Sequence, residues 1–190
     1  MRKYTIETKT IKPVGEVLDY IHTKCNNQNI TQVKEKIAEK LLREHKIFEK
    51  ICMLLGYEYQ GYKKITTKAL QKAGVDYVIW YNDDKEMYID LKTGIGLDYS
   101  NGIALELTQY GTFTNRKDKK TTFDLYFLYD AYGIRVYLIQ YKKINEVCWD
   151  IWKNRDQSTY TWYTSFNGTG EYIKYPPELI ADVLFDIKEE

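Results

Sequence analysis

Cysteine is scarce in this chain. Cys25, Cys52 and Cys148 are an odd, widely spaced set that makes neither a disulfide framework nor a zinc spacing. Histidine is scarcer still. His22 and His45 exclude an HExxH metal motif and leave no Ser-His-Asp triad to assemble, so each reads as an ordinary polar residue. No apolar run approaches membrane-spanning length, and the polar start Met1 to Thr10 lacks the apolar core of a signal peptide. The expectation is a cytoplasmic chain with no membrane partner. Excess charge is missing too. Against 27 Asp and Glu stand 28 Lys and Arg, a formal net charge of +1. That excludes a globally basic coat for nucleic acid but leaves room for a local basic patch. There is no internal repeat and no low-complexity segment.

What is present suits a folded chain. The 190 residues are 44% hydrophobic, enough for one domain over 1–190 with a sizeable core. Tyrosine is abundant, at 19 residues. The coding bias of an AT-rich gene accounts for that excess, although tyrosines also stack on bases.

Periodicity gives a coarse order of elements. Lys3 to Ile11 alternates as a short strand, Val14 to Thr23 suits a short helix, and Asn26 to Asn29 reads as a loop. A long helix is expected from an N-cap at Thr31 to Gly56, with Val33, Ile37, Leu41, Phe48, Ile51, Cys52 and Leu55 in one stripe. Helical phase puts Glu44 in the middle of that stripe and Glu49 well to its side. A carboxylate in a core stripe needs a partner, either a lysine or a metal site. A basic stretch follows, with Lys63, Lys64, Lys68 and Lys72. Strands are expected over Asp76 to Tyr81, Met87 to Thr93, Ile103 to Gln109, Phe123 to Asp130 and Ile134 to Tyr141. Then come a helix over Lys142 to Asn154, a strand over Thr159 to Phe166, a turn over Asn167 to Gly170, and a helix from Pro177 to about Ile187. This order implies an α/β (α+β) fold on a mixed sheet.

The chemistry concentrates in two adjacent strands. Side chains alternate along a strand, so Asp90 and Lys92 share one face while Ile89 and Leu91 point into the core. Asp76 opens the preceding strand, and a hairpin through Asn82 to Lys85 brings it near. Register decides whether it arrives on the right face. A two- or four-residue loop pairs Asp76 with Leu91, on the wrong face, so the arrangement requires an odd loop or a bulge. Two carboxylates at one hairpin end repel each other, and Mg²⁺ removes that cost. Such an ion polarises a phosphodiester and acidifies a bound water, while Lys92 orients the water or stabilises charge on the phosphate.

With Gly74-Val75-Asp76 opening one strand and Asp90-Leu91-Lys92 closing the next, the chain resembles the PD-(D/E)xK nuclease superfamily. That group includes restriction enzymes, recombination exonucleases and phage nucleases. The resemblance covers about residues 31–141, and Val75 stands in place of the motif's Pro. It implies a restriction-endonuclease-like core with a long N-terminal helix, a central mixed sheet and flanking helices. The implied activity is Mg²⁺-dependent hydrolysis of DNA, with Mn²⁺ able to substitute and RNA as a second substrate class. Asp76, Asp90, Lys92, Glu106 and Glu44 would be catalytic, and Asp76, Asp90, Leu91 and Glu106 would hold the metal. Glu49 is the alternative to Glu44. The segment Ile103 to Thr108 followed by Thr121 to Tyr126 also resembles phage-type members with an acid on the next strand. The basic residues Lys63, Lys64, Lys68, Arg116, Lys117, Lys119 and Lys120 would contact phosphates, or else form solvated loops. The alternative function is an inactive module of the same fold that binds nucleic acid or a host protein. A homo-oligomer is compatible with either reading.

Overall fold

The computed structural model describes residues 1–8, 30–95, 102–109, 112–113, 119–130, 133–157, 159–164 and 168–189. The expected helix at Val14 to Thr23, the loop at Asn26 to Asn29, Arg116 and Lys117 lie outside these residues.

Eleven strands are defined among the described residues. They are β1 (Arg2–Thr8), β2 (Tyr59–Lys64), β3 (Tyr77–Tyr81), β4 (Lys85–Ile95), β5 (Ile103–Gln109), β6 (Thr112–Phe113), β7 (Phe123–Asp130), β8 (Gly133–Gln140), β9 (Trp162–Thr164), β10 (Gly170–Tyr175) and β11 (Val183–Glu189). Four helices accompany them: α1 (Ile30–Glu44), α2 (Ile47–Leu55), α3 (Lys68–Lys72) and α4 (Tyr141–Lys153). The fold is mixed α/β. A seven-stranded sheet runs β1-β11-β8-β7-β4-β3-β2, and a four-stranded sheet runs β6-β5-β10-β9.

Residue alternation on the large sheet divides the core in two. Tyr77, Ile79, Ile89, Leu125, Phe127, Val136, Leu138 and Phe185 face α1 and α2. Tyr126, Leu128, Tyr137, Ile139 and Leu184 face the opposite way, onto Leu105, Leu107 and Ile173 of the small sheet and Ile144 and Cys148 of α4. β4 and β7 are parallel neighbours, so the chain must cross over between them. β5 and β6 lie in that crossover and build the small sheet over the second face.

Two expectations are corrected here. The single long helix is two helices, because Lys46 adopts a left-handed conformation (φ 49°, ψ 45°) between α1 and α2. The apolar stripe skips from Leu41 and Leu42 to Ile47 and Phe48, and the polar Glu44-His45-Lys46 between them gives the core nothing to bury. A break at that point lets both helices turn an apolar face inward. The second correction is at the C-terminus. Pro177 begins only a 3₁₀ turn, Pro177–Leu179, and Val183–Glu189 is a strand. Val183, Phe185 and Ile187 alternate into one face and are fully buried, a period of two rather than 3.6. β11 pairs with β8 on one side and β1 on the other. Both ends of the chain therefore complete the large sheet rather than hang from it.

A candidate acid–lysine site

The loop between β3 and β4 decides the geometry of the site. Asn82, Asp83 and Asp84 all have positive φ (38°, 58° and 62°), and Tyr81 pairs with Lys85 around them. Asn and Asp tolerate this region because their short polar side chains bond locally. A loop of three is odd, so Tyr77 pairs with Ile89. Asp76 immediately precedes β3, and continuing this register by one step would bring it beside Asp90. The Asp76 N–H donates to the carbonyl of Ile89 at 2.8 Å, which fixes this end of the hairpin.

The Asp76 carboxylate folds back on the strand ladder. Its Oδ2 accepts from the Leu91 N–H at 2.8 Å. It also lies within hydrogen-bonding reach of the Asp90 carboxylate. Burial pushes its pKa above the ordinary value, the Leu91 N–H opposes that, and the Asp90 charge adds to it. Asp90 is itself buried and is held by two ammonium groups. Lys92 Nζ sits 2.7 Å from Oδ1, and Lys119 Nζ sits 2.7 Å from Oδ2. Lys92 is the expected strand neighbour. Lys119 arrives from the chain just before β7.

The parallel pairing of β4 with β7 extends this row. Asp90 is in register with Asp124, and Lys92 with Tyr126. Asp124 is fully buried, and its Oδ2 accepts from the Tyr126 hydroxyl at 3.2 Å. Its place on the shared face was legible in the alternation of Asp124 and Tyr126 against the core residues Phe123, Leu125 and Phe127.

The remaining candidates are placed as follows. Glu106, on β5, lines a cavity of about 220 Å³ with Lys92, Tyr126, Tyr141 and Asn145. Among the described residues, no three His, Cys, Asp or Glu side chains are gathered in a group suited to a metal. Leu91 contributes its N–H to Asp76. Glu44 is exposed at the end of α1 and pairs with Lys40 at 3.7 Å. Glu49 is exposed too and pairs with Lys46 at 3.8 Å. Helical phase does not carry through Lys46, where α1 has ended and α2 begins, so Glu44 does not share the buried stripe of Phe48 and Ile51.

The helix carboxylate that does approach this end of the hairpin is Glu39. It bonds to Lys64, which pairs across the sheet with Tyr77. Burial raises the Tyr77 pKa, and the charges of Glu39, Asp76 and Glu35 raise it further. The i,i+4 spacing of Glu35 and Glu39 on α1 was the available signal.

The basic residues come from separate segments to one place. The Lys120 N–H donates to Ala73 O at 3.1 Å, and the Thr121 hydroxyl donates to Gly74 O. This ties the chain ahead of β7 to the end of α3. Lys68 and Lys72 on α3 and Lys120 at that junction are exposed. Lys63 is exposed on the edge strand β2, and Lys64 is committed to Glu39. No protein-family model, curated protein or solved structure matches this chain.

Proposed function

We propose that the protein is a divalent-metal-dependent nuclease of the PD-(D/E)xK kind, on a restriction-endonuclease-like core, acting on DNA in the cytoplasm. The observation that supports the reading is the three-residue loop between β3 and β4, after which the Asp76 carboxylate accepts from the Leu91 N–H and lies close to Asp90, whose carboxylate bonds Lys92.

The donor chemistry fits Mg²⁺ or Mn²⁺. The acid pair offers oxygen only, with no histidine or cysteine among its contacts. A hard cation of this kind needs only one or two carboxylates, with water and substrate oxygens filling the other positions. Burial is the first cause of the raised Asp76 pKa and the Asp90 charge adds to it, and a cation on the pair would favour the ionised form.

In this reading Asp76 and Asp90 hold the ion. When bound, the ion polarises the phosphodiester and makes its water a better nucleophile at neutral pH. Asp76 is kept in place by the Leu91 N–H, so its second oxygen has a fixed direction. Lys92 stays on the face of Asp90 and presents an ammonium to the attacking water or the phosphate. Lys68, Lys72 and Lys120 hold phosphates on one side of the scissile bond. Asp124 and Tyr126 continue the polar row on β7, in register with Asp90 and Lys92.

One observation favours the second reading, a module of the same fold that binds nucleic acid without cutting it. Both oxygens of Asp90 already carry lysines, as in a purely structural ion-pair cluster. The separating experiment incubates duplex, nicked and single-stranded DNA, and RNA, with and without Mg²⁺ or Mn²⁺. Asp90→Ala is the control. Cleavage by wild type only with metal, absent in Asp90→Ala, supports the nuclease. Binding without cleavage under any metal supports the module.

A further inference from the structure

We propose that Lys119 is a second substrate-contacting lysine, a counter-ion that holds Asp90 until a divalent cation takes the carboxylate and then turns to the substrate's phosphate. This rests on the nuclease reading and assigns a residue to it.

Several separate features build the seat of Lys119. The chain that carries it is pinned to the α3–β3 junction by Lys120 and Thr121, through Ala73 O and Gly74 O. Gly74 makes room for its stem. A Cβ at position 74 would lie 2.9 Å from Lys119 Cε and 3.1 Å from Cδ, closer than a carbon contact allows. The ammonium sits over the Tyr141 ring, 5.5 Å from its centroid. The side chain is 17% exposed, against 37% for Lys92, so this is a placed cation rather than a surface one.

Charge balance gives the seat a purpose. Asp76 and Asp90 together carry two negative charges when ionised, and Lys92 and Lys119 carry two positive ones. These four charges balance one another without a metal, and the buried Asp124 lies in register beside Asp90. A divalent ion on the carboxylates leaves two positive charges in excess, and the phosphodiester and the nucleophile it activates are the anions that offset them. The ion also displaces an ammonium from Asp90. Both ammonium groups border a cavity, Lys92 one of about 220 Å³ and Lys119 a larger one. Lys119 lines its cavity of about 660 Å³ together with Thr121, Thr122, Gln140, Tyr141 and Asn145. That volume lies in the ordinary range for a ligand site; Phe123, Lys142 and Glu146 complete a lining that is largely apolar, with the ammonium groups of Lys119 and Lys142 as its cations. No bond is made or broken by Lys119 in this exchange. It changes partner from carboxylate to phosphate.

The test pairs metal binding with steady-state cleavage in wild type, Lys119→Met, Lys119→Gln and Lys119→Arg. Mn²⁺ alone is titrated by calorimetry, and folding is followed by thermal melting. Removing a competing cation should tighten Mn²⁺ about tenfold in both neutral variants, while KM for DNA rises about tenfold. Lys119→Arg should stay within a few-fold of wild type on both. A lysine with only a structural role predicts the opposite pattern, lower melting temperature with Mn²⁺ affinity unchanged or weakened. That pattern, or an unchanged KM, overturns the inference while wild-type cleavage leaves the nuclease reading intact. A wild-type protein that neither binds Mn²⁺ nor cleaves overturns both.

Discussion

The Asp76 carboxylate lies close to Asp90 after a three-residue loop between β3 and β4 in which every residue takes positive φ. A loop of two or four would send Asp76 to the helix-facing side, among Tyr77, Ile79 and Ile89. The site therefore depends on the conformation of Asn82, Asp83 and Asp84 as much as on its own acids. Left-handed backbone costs non-glycine residues about 1–2 kcal/mol each, less for Asn and Asp. Asp84→Gly should therefore raise unfolding free energy by up to about 1 kcal/mol without changing the register. Chemical denaturation checks it. A lower stability would mean that the Asp84 N–H bond to Gln60, at 3.1 Å, is lost in the glycine variant.

The raised pKa of Asp76 makes a pH-dependent prediction. A carboxylate whose pKa is higher in the folded state binds its proton more tightly there. Its ionisation then costs stability as pH rises from the ordinary carboxylate range through the folded pKa. Asp76→Asn keeps an oxygen for the Leu91 N–H and removes the charge. The variant should melt at a higher temperature than wild type at pH 7.5. The gap should close at pH 3, where Asp76 is protonated in both states. An Asn variant that is less stable at pH 7.5 would mean that the charge of Asp76 is already compensated.

Gly74 faces two constraints together, a φ of +75° and the stem of Lys119. Gly74→Ala should cost about 1 kcal/mol or more from the backbone alone. It should also push Lys119 off Asp90, so its Mn²⁺ affinity should move in the direction of Lys119→Met. A destabilised variant with unaltered Mn²⁺ affinity would separate the backbone effect from the lysine effect.

Lys92 and Asp90 share a strand face but have different tasks in the proposed chemistry. Asp90→Ala removes a metal ligand and should abolish cleavage. Lys92→Ala removes one electrostatic or acid–base group, a loss on the order of 10²–10⁴ in rate. It should still bind Mn²⁺, because an ammonium does not ligate the ion. Single-turnover cleavage read beside Mn²⁺ titration checks both. Loss of Mn²⁺ binding in Lys92→Ala would assign the lysine a structural role at Asp90.

Much of the fold was legible because strand and helix periods are local. β5 and β7 fall where their apolar alternation puts them, and α4 within a residue at either end. The C-terminal strand was hidden by Pro177, which opens a 3₁₀ turn as readily as a helix, and by Asp186 and Lys188 on its outer face. The pairing of Asp90 with Lys92 was visible in their spacing of two. The loop length was not, since Asn-Asp-Asp-Lys suits a loop of two, three or four, and register followed only from the backbone. Lys119 reaches Asp90 only after a crossover, and Glu39 reaches the hairpin end through Lys64, contacts between segments that spacing along the chain does not encode. The break at Lys46 was equally hidden, because lysine has no special preference for a left-handed backbone.

The lysines around Ala73 and Gly74 give a prediction that does not depend on catalysis. Lys68, Lys72 and Lys120 come from two segments, which the Lys120 N–H bond to Ala73 O joins. If they bind phosphates, each releases counter-ions, and the plot of log affinity against log salt should lose about 0.9 in slope per residue on duplex DNA, or about 0.7 on single strands. The triple alanine variant should therefore lose about 2–3 in slope, and its affinity should fall most at low salt. Lys64→Ala is the internal contrast. That lysine is already paired with Glu39, so its removal should change the slope far less than any of the three. Fluorescence anisotropy at several salt concentrations, with Ca²⁺ in place of Mg²⁺ to limit cutting, measures all four. Equal slopes in wild type and the triple variant would make these lysines ordinary solvated charges and move the DNA contact elsewhere. An effect of Lys64→Ala as large as the others would mean that the Glu39 pair opens to let DNA in.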